Sequence, residues 1–87
     1  MRHARTEDLD QLDALLSRLR QFEPLKERKR GVFYLKSKAF LHFHQDSAAL
    51  FADARLGGSD FDRFRVSTKA EQQALLAKIA RFLKSIA

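Results

Sequence analysis

The chain of 87 residues contains no cysteine. Disulfides, thiolate metal sites and redox chemistry at sulfur are thereby excluded. Apolar runs are short, and none approaches the ~20 residues that a membrane-spanning helix requires. The opening stretch MRHARTEDLD lacks the apolar centre of a signal peptide, so a cytoplasmic protein is expected. Neither a G-x-S-x-G nucleophile turn nor a phosphate-binding loop occurs. Gly57-Gly58 precedes no helical pattern and reads as a turn. His44, Asp46 and Ser47 are near neighbours without the arrangement that makes a triad. No enzyme activity and no cofactor are implied.

What remains is a small, basic, mixed chain. Its length makes one domain, residues 1–87, with residues 1–5 expected to fray. A domain of this size buries only ~60% of its unfolded surface, and dimerisation is a common remedy. Apolar and charged fractions of 45% and 32% are those of a globular protein. The net charge of +6 is unevenly spread. Residues 1–25 carry −1, residues 26–40 carry +5, residues 41–62 carry −3 and residues 63–87 carry +5. Two basic segments flank an acidic one, which makes a basic patch if the fold joins them.

Leu9, Leu12, Leu15, Leu16, Leu19 and Phe22 recur at steps of three and four, the stripe of an amphipathic helix. Thr6 is the expected N-cap and Pro24 the stop, giving a helix over about 7–22. LKERKRG, residues 25–31, reads as a basic connector. The period then changes to two. Phe33, Leu35, Ala39, Leu41 and Phe43 are odd, whereas Tyr34, Lys36, Lys38, Phe40, His42 and His44 are even. That alternation argues for two strands around a turn at Lys36-Ser37-Lys38. A three-residue loop keeps the odd positions on one face. QDSA and GGSD mark the next turns, bounding strands through Leu50–Leu56 and Phe61–Val66. Thr68 with Glu71 matches a capping box. It opens a last helix whose stripe is Leu75, Ile79, Phe82, Leu83 and Ile86. Taken alone, its LLAKIARFLKSIA resembles a membrane-surface peptide, but the stripe is more simply half of a core, and no membrane association is expected.

The expected fold is α+β with two layers: a four-stranded antiparallel meander with the N- and C-terminal helices on one face, α-β-β-β-β-α. The opposite face then displays Tyr34, Lys36, Lys38, Phe40, His42, His44, Phe51, Asp53, Arg55, Phe61, Arg63 and Arg65. Aromatic rings bared together among cations call for a partner. Three readings stay open. The face binds single-stranded nucleic acid, with bases stacked on rings and phosphates neutralised by Arg and Lys. It meets a second copy as a homodimer, or another protein. Or the aromatics are core, because helices cover both sides or the turn parity differs. A five-residue loop at 56–60 puts Asp53 opposite Arg63 and Phe51 opposite Arg65, a cross-strand ion pair and a cation–π contact that need no function.

His42 and His44 share a strand face and could chelate a divalent ion. A third ligand is needed, and His3, Asp46 and Asp62 are the candidates. None has diagnostic spacing, so no metal is expected.

VFYLKSKAFLHF, residues 32–43, followed by LFADARL, residues 50–56, resembles the central hairpin of the small bacterial YjbR/MmcQ-like proteins. They carry a Phe-containing strand, a Lys-Xaa-Phe after the turn and a following strand. The resemblance spans roughly 25 residues and lacks the family's usual hairpin glycine. It implies a frataxin-like α+β fold and DNA binding.

Overall fold

The computed structural model describes residues 2–57 and 60–86. The elements in chain order are β1 (Arg2–His3), α1 (Thr6–Gln11), α2 (Asp13–Leu19), β2 (Leu25–Lys29), β3 (Val32–Leu35), β4 (Lys38–Asp46), β5 (Ala49–Ala54), β6 (Asp62–Arg65) and α3 (Lys69–Ile86). The architecture is α+β, with an open antiparallel sheet in the order β2-β3-β4-β5-β6 and β1 added alongside β4.

All three helices contribute to one core on one side of the sheet. Leu9, Leu12, Leu15, Leu16 and Leu19 meet Phe33, Leu41, Phe43, Ala52 and Ala54 there, with Leu75, Ile79 and Leu83 from α3. Each large side chain so buried contributes about 1.5–3 kcal/mol before the entropy of ordering it is subtracted. The expected α+β class with an antiparallel sheet holds, but the sheet has six strands instead of four and the N-terminal helix is two.

The N-terminal helix begins one residue earlier than Thr6 as N-cap requires. Arg5 is the cap, Thr6 is the first helical residue, and the Asp8 carboxylate accepts the Arg5 backbone N–H at 2.9 Å. The helix is divided at Leu12, where the backbone leaves helical geometry (φ −100°, ψ 12°). Leu12 N–H turns to the Leu9 carbonyl, a tighter three-residue closure. Thr68 and Glu71 do form the expected capping box: Thr68 N–H donates to Glu71 at 2.9 Å, and Glu71 N–H donates to the Thr68 hydroxyl at 3.1 Å.

Two segments expected to be irregular are strands. The basic connector contains β2, which pairs with β3 from Leu25↔Leu35 to Lys29↔Val32. Its alternation is masked because Glu27 occupies an inward position. The Glu27 carboxylate is satisfied there by Arg20 of the helical layer and by the Gly31 backbone N–H at 2.9 Å. A charged edge strand of this kind also resists pairing with another chain. Gly31 closes the hairpin at φ +79°, with Leu9 packed so close that a Cβ would meet it at 2.7 Å. At the other end, Arg2 and His3, expected to fray, pair with Gln45 and His44.

The β3–β4 hairpin differs from expectation in a way that moves one ring. Its loop has two residues, Lys36 and Ser37, both at positive φ (51° and 69°), with Leu35 opposite Lys38. Such primed turns follow the twist of the flanking strands. The register then shifts between Tyr34↔Ala39 and Phe33↔Leu41, leaving Phe40 as an extra residue in β4. The bulge lets two consecutive side chains take the core face. Phe40 is 2% exposed and Leu41 is 0% exposed. Phe40 stacks on Phe82 of α3, ring centroids 5.9 Å apart. Beyond the bulge the odd residues point inward and the even ones outward, as expected.

The β4–β5 loop, Ser47-Ala48, is likewise of two residues at positive φ. Between β5 and β6, Asp53 lies opposite Arg63 and Phe51 opposite Arg65, the expected register. Gly58 and Ser59 of the expected GGSD turn lie outside the described residues.

Candidate binding face and its histidine centre

Among the described residues no helix covers the far side of the sheet. Strand alternation places His42 and His44 of β4 there. The pairings His42↔Asp53, His44↔Phe51 and His3↔His44 set their neighbours across the strands. One row therefore runs His3, His44, Phe51, Arg65, and the next runs His42, Asp53, Arg63.

Asp53 is the hub. It is 7% exposed, and its two carboxylate oxygens accept Arg63 Nε and Nη2 at 2.8 and 2.9 Å. That forked geometry is the strong, oriented form of an Arg–carboxylate pair. The same carboxylate stands 3.0 Å from His44 Nε2 and 3.5 Å from His42 Nε2. Burial pushes the Asp53 carboxyl up, but Arg63 outweighs it, with the histidines adding to the effect, and the group is held below the ordinary carboxylate range. Burial pushes the His42 imidazole down. Repulsion from His44 adds to that, and the attraction of Asp53 opposes it without reversing it. His42 therefore stays neutral at pH 7.

The histidine rings are close. His3 and His44 have centroids 4.7 Å apart, and His42 and His44 4.8 Å apart. Phe61 meets His42 edge-on at 4.9 Å. Arginines lie over the aromatic rings of this face: Arg55 over Phe61 at 4.4 Å, Arg28 over Tyr34 at 5.1 Å and Arg63 over Phe51 at 6.0 Å. The expected cation–π contact on Phe51 is thus made by Arg63, diagonally, while Arg65 reaches Glu71 at 2.9 Å. His44 Nδ1 and Arg55 Nε are buried without a hydrogen-bond partner among the described residues. Beside His42, between β1 and the end of β3, a groove of about 680 Å³ is lined by His3, Arg5, Lys29, Arg30 and Val32 among others.

Of the residues expected on this face, the structure brings together Tyr34, His42, His44, Phe51, Arg55, Phe61, Arg63 and Arg65. Phe40 is corrected to the core, because of the bulge. Lys36 sits in the hairpin turn, and Lys38, opposite Leu35, falls on the helix side at the end of the sheet. Asp46 and Asp62, considered as metal ligands with the histidine pair, are not in the three-residue cluster; Asp53 takes that place. Sequence reasoning offers Lys26–Arg30 as a connector lining the rim of this face, but it misses the strand that pairs Lys26 with Tyr34 and sets Arg28 over the tyrosine ring. The strand's signal was the alternation of Leu25 and Glu27 with Lys26 and Arg28. It also misplaced His3, because a two-residue strand leaves no periodic trace.

The fold and the face define an open-sheet α+β domain with a His–Asp–Arg centre ringed by arginine-covered aromatics. Compared with known families, curated proteins and solved structures, the chain matches none. Among the described residues no helix is long and apolar enough to cross a membrane.

Proposed function

We propose that the chain is a small cytoplasmic binding module that takes single-stranded nucleic acid on the open sheet face. The observation that carries this reading is the set of guanidinium-on-ring pairs there, Arg28 on Tyr34, Arg55 on Phe61 and Arg63 on Phe51. Bases stack on aromatic faces and on guanidinium planes alike, whatever their sequence. Lys26, Arg28, Arg55 and Arg65 supply charge for phosphates. The one buried anion of the centre, Asp53, is already neutralised by Arg63, so it does not repel a backbone passing above it. An open antiparallel sheet backed by helices, with half-buried rings on its free face, is close to the layout that single-strand recognition uses elsewhere.

The test is fluorescence anisotropy with labelled oligo-dT and oligo-U at two salt concentrations. Binding should weaken as salt rises. Phe61→Ala should weaken it about 5–150-fold, the equivalent of ~1–3 kcal/mol for a lost stacking partner. No binding at tens of micromolar protein in low salt would remove the reading.

Self-association through the same face is the second reading. Tyr34, Phe51 and Phe61 are only half-buried, on a domain small enough to gain from a second copy. Sedimentation decides: a dimer broken by Phe61→Ala, with no oligonucleotide binding, would favour it.

A further inference from the structure

We propose that His42, His44 and Asp53 form a binding site for a divalent transition metal ion of the zinc class, with His3 placed to supply a fourth ligand. Nothing in the nucleic-acid reading requires it.

The donor set is two imidazoles and a carboxylate, ligands that zinc and its neighbours accept and that magnesium and calcium, which take oxygen, do not favour. Three potential ligand atoms, one from each side chain, lie within 4.8 Å of one another. In a tetrahedral site with bonds of about 2.0–2.1 Å, ligand atoms stand roughly 3.3–3.4 Å apart. The two separations from Asp53 Oδ2, 3.0 Å to His44 Nε2 and 3.5 Å to His42 Nε2, bracket that value. Binding an ion then takes side-chain rotations that draw the two imidazole nitrogens, within 4.8 Å of one another, toward the same point.

The backbone is suited to the task. All three ligands stand on paired central strands, with His42 directly opposite Asp53, and sites built on rigid elements hold geometry better than loops do. Arg63 grips Asp53 through both oxygens. It keeps the carboxylate ionised and oriented, the part that outer-shell partners play around metals. Its positive charge opposes the ion, so the site is tuned toward reversible occupancy. His3 lies on the open side, its ring 4.7 Å from that of His44, and the groove beside it gives an ion a route in from solvent.

The experiment titrates cobalt(II) and zinc(II) alone into the intact protein. Cobalt absorption reads tetrahedral coordination, and zinc competition and calorimetry read affinity. One ion should bind per chain, with the visible bands of four-coordinate cobalt. His42→Ala and His44→Ala should each weaken binding at least tenfold, and His3→Ala should weaken it less. His42 is partly solvent-facing, so circular dichroism of His42→Ala separates loss of ligand from loss of fold. Absence of saturable binding by the wild type overturns the proposal. So does binding that a folded His42→Ala variant retains at full strength, which would assign the ion to other groups.

Discussion

Replacing Phe40 by alanine removes a ring that is 2% exposed and stacked on Phe82. A buried phenylalanine withdraws about 150–250 Å² from water. At ~25 cal/mol per Å² that is roughly 4–6 kcal/mol, of which alanine keeps the share of its methyl group. Phe→Ala substitutions in cores accordingly cost about 3–5 kcal/mol, more where the cavity cannot collapse. Here the pairs Phe33↔Leu41 and Tyr34↔Ala39 hold the strands on either side of the bulge, so little collapse is available and the upper half of the range is expected. With a urea m-value of ~1–2 kcal/mol per molar for a small domain, the unfolding midpoint falls by about 2–5 M. A small domain holds only ~5–15 kcal/mol in total, so Phe40→Leu is the companion variant, expected to lose under about 1.5 kcal/mol. The control is Phe61→Ala on the open face, expected to cost about 1 kcal/mol through its lost cation–π and edge contacts. Urea unfolding followed by far-ultraviolet circular dichroism reads all three. A Phe40→Ala loss no larger than that of Phe61→Ala refutes the bulge and returns Phe40 to the open face.

Other outcomes follow from the turns and the histidine centre. Ala48→Gly relieves an alanine at φ 64° and should stabilise the protein by about 1 kcal/mol, read as a higher urea midpoint. Gly31→Ala should do the opposite by at least ~1–2 kcal/mol, since it strains φ +79° and drives a methyl into Leu9; unchanged stability would contradict the close approach. Unfolded His42 titrates at its ordinary 6.5 while native His42 titrates lower, among His44, Asp53, His3 and Arg63. The unfolded chain therefore takes up its proton first, and His42's contribution to stability declines as pH falls below 6.5 toward the native value. Urea midpoints at pH 7 and 5.5 should differ in that sense, and less so in His42→Gln; an equal slope in the variant would assign the effect elsewhere.

Much of this architecture was legible in residue order, for identifiable reasons. The leucine stripe of α1 and α2 and Leu75, Ile79 and Leu83 of α3 sit on the buried faces their spacing implies, whereas Ile86 at the end of α3 is exposed. The β5–β6 register followed from counting residues back from the Gly-rich turn, and it put Asp53 against Arg63. The β3–β4 hairpin is more instructive. A two-residue turn in place of three reverses the parity of β4, and the extra residue at Phe40 reverses it again. The two departures cancel from Leu41 onward, so His42 and His44 fall where alternation puts them, and only Lys38, Ala39 and Phe40 change sides. Neither a primed turn without glycine nor a bulge between two apolar residues leaves a mark in the pattern. β2 was hidden because Glu27, a charged residue at an inward position, is matched to Arg20 from a helix seven residues earlier. His3 joined the centre through a pairing with β4 more than forty positions away along the chain.

The open sheet face is the surface on which the proposed nucleic-acid binding turns. The most direct measurement is a nitrogen-15 correlation spectrum recorded during titration with a short oligo-dT. Amide shifts should concentrate at Tyr34, His42, Phe51, Arg55, Phe61 and Arg63 and leave the core-facing turns of α2 and α3 unmoved. Shifts confined to the helical layer, or none at saturating oligonucleotide, would contradict it.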